Sequence, residues 1–130
     1  DAFILGTEGW VEVVDGNDAE GLAILREAVR QAGDPLSAAI APHMRSVYVT
    51  AAAIGLAGID GGRHARDAAR CVGAADSWLP PGHRPVRMER AVRERAEERI
   101  RAVLGDAYDA AYAEGGGLSP EEAAVLLEPA

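Results

Sequence analysis

The stretch ARDAARCVGAADSWLP, residues 65–80, carries its small and apolar residues at helical spacing. One face of the predicted helix holds Ala68, Cys71, Val72, Ala75, Trp78 and Leu79. Gly73, Ala74 and Ala75 provide a smooth side that a second helix can approach closely. Because Pro80, Pro81 and Gly82 then end the helix, the stretch predicts the second member of a closely packed helix pair.

Glycine and proline divide the rest of the chain into further predicted helices. These cover residues 3–14, 17–32, 36–59, 85–104 and 106–114, with a last helix opening at Ser119. Asn17 is expected to cap the second helix with Glu20, and Pro42 either bends the third segment or opens its main part. Met88, Val92, Ala96, Ile100 and Val103 are predicted to line one side of the charged helix at 85–104.

A degenerate repeat, with its two units 46 residues apart, links the first and second halves of residues 1–80. Gly9 and Gly16 are seven residues apart, as are Gly55 and Gly62, which is typical of tetratricopeptide repeats. Small and large residues then follow at matching offsets: Gly21, Leu25, Ala28 and Gly33 in the first unit, and Ala68, Val72, Ala75 and Pro80, one residue late, in the second. The predicted fold is all-α, a right-handed stack of antiparallel helix pairs with about seven helices and no sheet. Residues 1–130 form one domain, with two repeats in 1–80 and capping helices in 81–130.

Charge is unevenly distributed along a chain whose net charge is −8. The chain has 13 arginine residues and no lysine, and ten of the arginines fall in residues 61–104. This basic segment, and above all the helix at 87–101, either contacts a polyanion such as nucleic acid or lies against its own acidic neighbours. Expected i,i+4 pairs of Glu89 with Arg93 and of Glu97 with Arg101 favour the second interpretation.

No apolar run approaches the roughly 20 residues that cross a bilayer, so no membrane contact is expected. The single cysteine, Cys71, fits a reducing compartment, so the chain is predicted to be cytoplasmic. Since the first residue is Asp1 rather than methionine, the chain is expected to be a piece of a longer protein.

Catalytic and metal-binding motifs are sparse. His43, His64 and His83 are too widely spaced for a helical metal site, and Cys71 is expected to pack as a small hydrophobe. The chain is therefore predicted to be no enzyme and to hold no metal or cofactor. The alternative is a small helical enzyme or ligand-binding domain in which His64, Asp67 and Cys71 lie near a pocket.

The second half of the chain resembles the C-terminal region of actinobacterial transcriptional regulators of the AfsR/SARP and LuxR ATPase kinds. The resemblance lies in ARCVGAAD at 69–76, a proline-rich break, Leu104-Gly105, Tyr108, Tyr112 and AEG at 113–115, and LSPEEAAVLL at 118–127. The last stretch is also similar to the opening helix of LuxR-type helix-turn-helix domains, but it is acidic where phosphate contact needs arginine or lysine. The resemblance implies a tetratricopeptide-like region joined to ATPase and DNA-binding domains, with direct DNA contact left to the latter.

The predicted function is that of a non-catalytic interaction domain in signal transduction and transcription regulation. Residues 3–14 and 42–59, the first helices of the two pairs, are expected to line a concave face. Its exposed contacts are predicted to be Trp10, His43, Arg45 and Tyr48. The expected partner is a protein or peptide, another domain of the same chain, or a small effector, whose binding is relayed to the ATPase.

Overall fold

A computed structural model describes residues 1–129, all helical or irregular. The eight α-helices in this range are α1 Ala2–Val14, α2 Asp18–Ala32, α3 Pro35–Ile40, α4 Met44–Gly58, α5 Ala65–Ser77, α6 Arg87–Leu104, α7 Tyr108–Gly115 and α8 Pro120–Leu126. Short 3-10 turns at Asp60–Gly62 and Gly105–Ala107 precede α5 and α7. The all-α prediction is confirmed for the described residues.

The helices pack largely in chain order. α1 packs on α2, α2 on α4, and α4 on α5, while α6 covers α4 and α5. α7 and α8 both pack against α5. α4 is therefore the centre of the molecule, and its residues from Tyr48 to Ala57 are all buried.

The repeat positions that were predicted to be small lie where helices touch. Gly21 lies against Val13 of α1, and Gly55 lies against the backbone of α2 at Asp18. Ala28, Ala68 and Ala75 are at most 1% exposed. The alanine-rich composition thus gives a core in which helix backbones, rather than large side chains, come close together.

Pro42 divides the predicted third segment into two helices, so that residues 1–129 hold eight α-helices, in keeping with the prediction of about seven. Asp34 caps α3 by accepting from the backbone N–H groups of Leu36 and Ser37. α3 ends at Ile40, and Ala41 is pushed out of the helical region because it precedes a proline. The main helix then begins at Met44, two residues after Pro42.

The structure departs from the predicted helices at two points, the cap at Asn17 and the exposure of two residues of α6. Asn17 precedes α2 but forms no side-chain cap; its amide donates to Glu12 of α1 at 2.8 Å instead. On α6 only Val92, Ala96 and Ile100 are buried, while Met88 and Val103 are about half exposed. The capping box at Ser119 and Glu122 is confirmed.

Candidate functional site

The four predicted contact residues do not form one surface. Tyr48 is only 5% exposed, because its ring lies where a side chain at Gly6 of α1 would otherwise be. Trp10 is half-buried against the core, and Arg45 faces α2 and α3 on one side of α4. His43 lies on another side, near Glu89 of α6. The prediction of Tyr48 as an exposed contact is therefore wrong.

The predicted concave face is not formed at α4. Helices α1, α2, α5 and α6 surround α4, so that almost its whole length is core and only its first residues reach the surface. An apolar helix with no polar face is buried on all sides, and the run from residue 47 to 57 has only Tyr48 and Thr50 as polar groups. Of the two helices predicted to form the face, only α1 remains exposed.

The outer side of α1 carries an apolar stripe that no other helix of residues 1–129 covers. Its exposed large side chains are Phe3 at 68%, Ile4 at 54%, and Val11 and Val14 at 49% each. At 100° per residue these four side chains span roughly 100° of the helix, with Thr7 among them and Trp10 at one edge. The opposite side of α1, with Gly6, Gly9 and Val13, faces the core.

Carboxylates border this α1 stripe on the side away from Trp10. The first 20 residues contain six acids and no base: Asp1, Glu8, Glu12, Asp15, Asp18 and Glu20. Asp18 is neutralised by a bidentate pair with Arg99 at 2.7 and 2.8 Å, whereas Glu8 and Asp15 lie exposed beside the stripe. The surface is therefore both apolar and negatively charged.

Arg45 lines a wide, open groove of about 930 Å³ between α2, α3 and α8. Four of its eight charged side chains are paired with one another. Arg26 binds Glu128 at 2.7 Å, and Arg30 pairs with Glu27, whose pKa falls to about 2 because of the hydrogen bonds from Arg30 and Gln31. A charged ligand in this groove would have to compete with those internal pairs.

Two histidines and a glutamate lie together where α4 begins and α6 passes it. His83 Nε2 is 2.8 Å from Glu89 Oε2, and His43 Nε2 is 3.8 Å from Glu89 Oε1. The two imidazole rings have centroids 5.6 Å apart, and the Glu89 side chain is only 12% exposed. The predicted pair of Glu89 with Arg93 is replaced by this contact, because residues 79–86 bring His83 back to α6.

The arginines of α6 are turned mainly toward acids of the chain itself. Arg93 contacts Asp76 of α5 at 3.0 Å, Arg99 contacts Asp18 of α2, and Arg101 contacts Asp109 of α7 at 2.8 Å. The predicted pair of Glu97 with Arg101 is confirmed at 3.0 Å. These contacts support the interpretation in which the basic helix lies against its own acidic neighbours.

His64, Asp67 and Cys71 do not converge on a pocket. Cys71 has no exposed surface, and burial together with the nearby Asp67 charge raises the pKa of its thiol to about 12. His64 is bound to Asp60 at 2.7 Å, and Asp67 to Arg70 at 2.7 Å. Cys71 is thus a packed core residue, as predicted, and its thiolate is disfavoured as a nucleophile.

Within residues 1–129 no three side chains of His, Cys, Asp or Glu are placed to share a metal ion, and none of the helices has the length and apolarity needed to span a membrane. Searches of protein-family models, curated proteins and solved structures give no match to this chain.

Proposed function

We propose that the chain is a protein-interaction domain that binds a basic amphipathic helix on the apolar stripe of α1. The observation that carries the proposal is the contiguous exposed face of Phe3, Ile4, Val11 and Val14 beside Glu8 and Asp15. A partner helix would bury apolar side chains against this stripe and place its lysine or arginine residues beside the carboxylates. Contiguous apolar surface of this kind is typical of binding sites.

Charge decides among the possible occupants of the stripe. A second copy of the chain would bring an identical acidic helix against α1, and like charges placed in a contact are repulsive. A basic helix has the complementary charge. The same acidic border gives an association rate that falls as salt is added.

We further propose that the helices form a tetratricopeptide-like stack, with α1 and α2 as one pair and α4 and α5 as the next. The packing order of these four helices and the small residues at the contacts support it. In a regulator of the AfsR/SARP or LuxR ATPase kind, which the sequence resembles, binding at α1 would be relayed to ATPase and DNA-binding domains. The proposed domain is non-catalytic and does not contact DNA itself.

Fluorescence anisotropy with labelled synthetic peptides tests the interaction. The probe is an 18-residue helix with a leucine stripe and lysine on its other faces, and the matched control peptide has glutamate in place of lysine. We expect the basic peptide to bind, and the double variant Phe3→Ser, Val11→Ser to weaken it at least tenfold. Val125→Ser, which removes an equally exposed side chain on α8, is the control and should leave affinity unchanged.

Two results would refute the proposal. Equal binding of the acidic peptide, or equal binding by the α1 double variant, would show that neither the charge nor the stripe directs recognition. Light scattering after gel filtration tests the other occupant: a dimer that the α1 double variant dissociates would assign the stripe to a second copy.

A further inference from the structure

A separate cavity of about 320 Å³ lies between α4, α6 and the segment that joins α5 to α6. Most of its wall is apolar, from Val47, Leu79, Pro85 and Val92. Ser46 and Thr50, one turn apart on α4, supply hydroxyl groups to the wall. The Glu89 and His83 pair stands at its edge.

The two hydroxyl groups are the unusual feature, because both residues are buried and neither is bonded. Ser46 and Thr50 are each 5% exposed. The hydroxyls of Thr7 and Ser77 donate to backbone carbonyls and that of Ser119 accepts from a backbone N–H, but no hydrogen bond within residues 1–129 involves Ser46 or Thr50 side chains.

Both hydroxyls nevertheless keep access to the cavity. In the described part of the chain, only Tyr108 Oη is both fully enclosed and without a hydrogen-bond partner. Because the oxygens of Ser46 and Thr50 also have no partner, they are not fully enclosed and keep some accessible surface. Hydroxyls that reach the cavity can bond water or a ligand there, and a ligand oxygen that bonded both groups would replace that water without a loss of hydrogen bonds.

The half-buried charged groups around the cavity already have partners of opposite sign, whereas Arg90 and Glu94 lie exposed at its rim. His83 is bound to Glu89 at 2.8 Å, and Arg93 is bound to Asp76 at 3.0 Å. Tyr112 donates a further hydrogen bond to Asp76 at 2.6 Å. A charged ligand would have to break one of these partly buried pairs, which favours an uncharged one.

We infer that the cavity binds a small, uncharged, mainly apolar molecule that carries one hydroxyl or carbonyl group. The apolar part lies against Val47, Leu79 and Val92, and the oxygen is bonded by Ser46 and Thr50. The volume is at the lower end of the range for ligand pockets and corresponds to about ten non-hydrogen atoms. This site is distinct from the α1 stripe, so each can fail without the other.

Nuclear magnetic resonance titration of the full chain with benzyl alcohol and with acetophenone tests the inference. Toluene, which lacks the oxygen, and benzoate, which is charged, are the matched ligands. We expect benzyl alcohol or acetophenone to shift the amide signals of residues 46–50, 79–85 and 89–93. Toluene should bind at least fivefold more weakly, and benzoate should bind more weakly than either oxygen-bearing neutral probe.

Variants of the wall separate the hydroxyls from general apolar binding. Ser46→Ala with Thr50→Val keeps the side-chain volumes close to native and should weaken benzyl alcohol about tenfold. Thr7→Val, which removes a hydroxyl bonded to the Phe3 carbonyl far from the cavity, should leave the affinity for benzyl alcohol unchanged. Val47→Phe, which fills the cavity from its wall, should abolish binding, and circular dichroism shows that each variant retains its helices.

The inference is overturned if neither benzyl alcohol nor acetophenone shifts the amide signals of these segments, if toluene binds as well as benzyl alcohol, or if benzoate binds best. Unchanged affinity in the hydroxyl double variant would also overturn it. Where that double variant loses its helices, Thr50→Val alone and Val47→Phe decide the same question. Apart from the control Thr7→Val, none of these variants lies on α1, so the peptide-binding assay remains a separate test.

Discussion

Gly73→Ala should destabilise the fold even though alanine is the better helix former. A Cβ at Gly73 would overlap the Tyr112 carbonyl oxygen of α7 and would lie 3.0 Å from its carbonyl carbon. The obstacle is backbone, so no side-chain rotation can relieve it. On the other side of the same crossing, a Cβ at Gly115 would overlap the Arg70 carbonyl oxygen of α5.

The size of the effect follows from two opposed contributions. Replacing a mid-helix glycine by alanine gains up to about 1 kcal/mol of helix propensity. Relief of the overlap requires α5 and α7 to separate by about 1 Å, which loosens the packing around Tyr108, only 2% exposed. Overpacking of this kind costs about 1–3 kcal/mol, and we expect the upper end of that range because the obstacle is backbone. After the gain in helix propensity is subtracted, the free energy of unfolding should fall by about 2 kcal/mol.

Urea denaturation followed by circular dichroism at 222 nm measures this loss. Gly117→Ala is the matched control, since nothing lies within 4 Å of a Cβ there, and it should stay within about 0.5 kcal/mol of the native chain. A Gly73→Ala variant as stable as the native chain, or more stable, would refute the close approach of α5 and α7.

Three further predictions concern other contacts. Cys71 should react with a thiol reagent at pH 8 at least a hundredfold more slowly in the native chain than in urea, and rapid native labelling would contradict its burial. Burial raises the pKa of the Cys71 thiol from 9.0 to about 12. The contribution of the thiol to stability is therefore complete below pH 9 and is lost as the pH rises toward 12. A double-mutant cycle of Asp18→Asn and Arg99→Ala should give a coupling free energy of about 1 kcal/mol in urea denaturation, and a value near zero would show that the bidentate pair contributes nothing. Ser119→Ala should lower the free energy of unfolding by about 1 kcal/mol through loss of the capping box, with Ser77→Ala, within about 0.5 kcal/mol of native, as the control.

Much of the fold could be predicted because local chemistry and packing agree along most of the chain. Gly73, Ala74 and Ala75 indicated a close helix contact, and the structure places α7 at that side. The capping box at Ser119 satisfies the open N–H groups of a helix start within four residues, so it needs no information from the rest of the chain. Asn17 failed as a cap since a competing partner, Glu12, lies on a different helix.

The surface contacts were less predictable, because exposure is decided by which helices surround a residue. Tyr48 and Arg45 both follow Pro42 in one predicted helix, yet one is core and the other lines a groove. The spacing of Ser46 and Thr50, two polar residues one turn apart in an apolar run, could have indicated the cavity but was overlooked. The contact of Glu89 with His83 could not be predicted, because an irregular segment places His83.

The central position of α4 accounts for the location of both proposed binding surfaces. A helix packed on all sides cannot offer a groove along its length. Ligands can therefore bind only where the surrounding helices leave a gap, or on the outer side of one of those helices. One such place is its first two turns, where α6 and residues 79–85 leave the cavity beside Ser46 and Thr50. The other is the outer side of α1, which covers α4 and α2 with its inner side and has no cover of its own. A partner on α1 and a ligand beside α4 would both act on the helix that holds the molecule together, since α4 contacts α1, α2, α5 and α6.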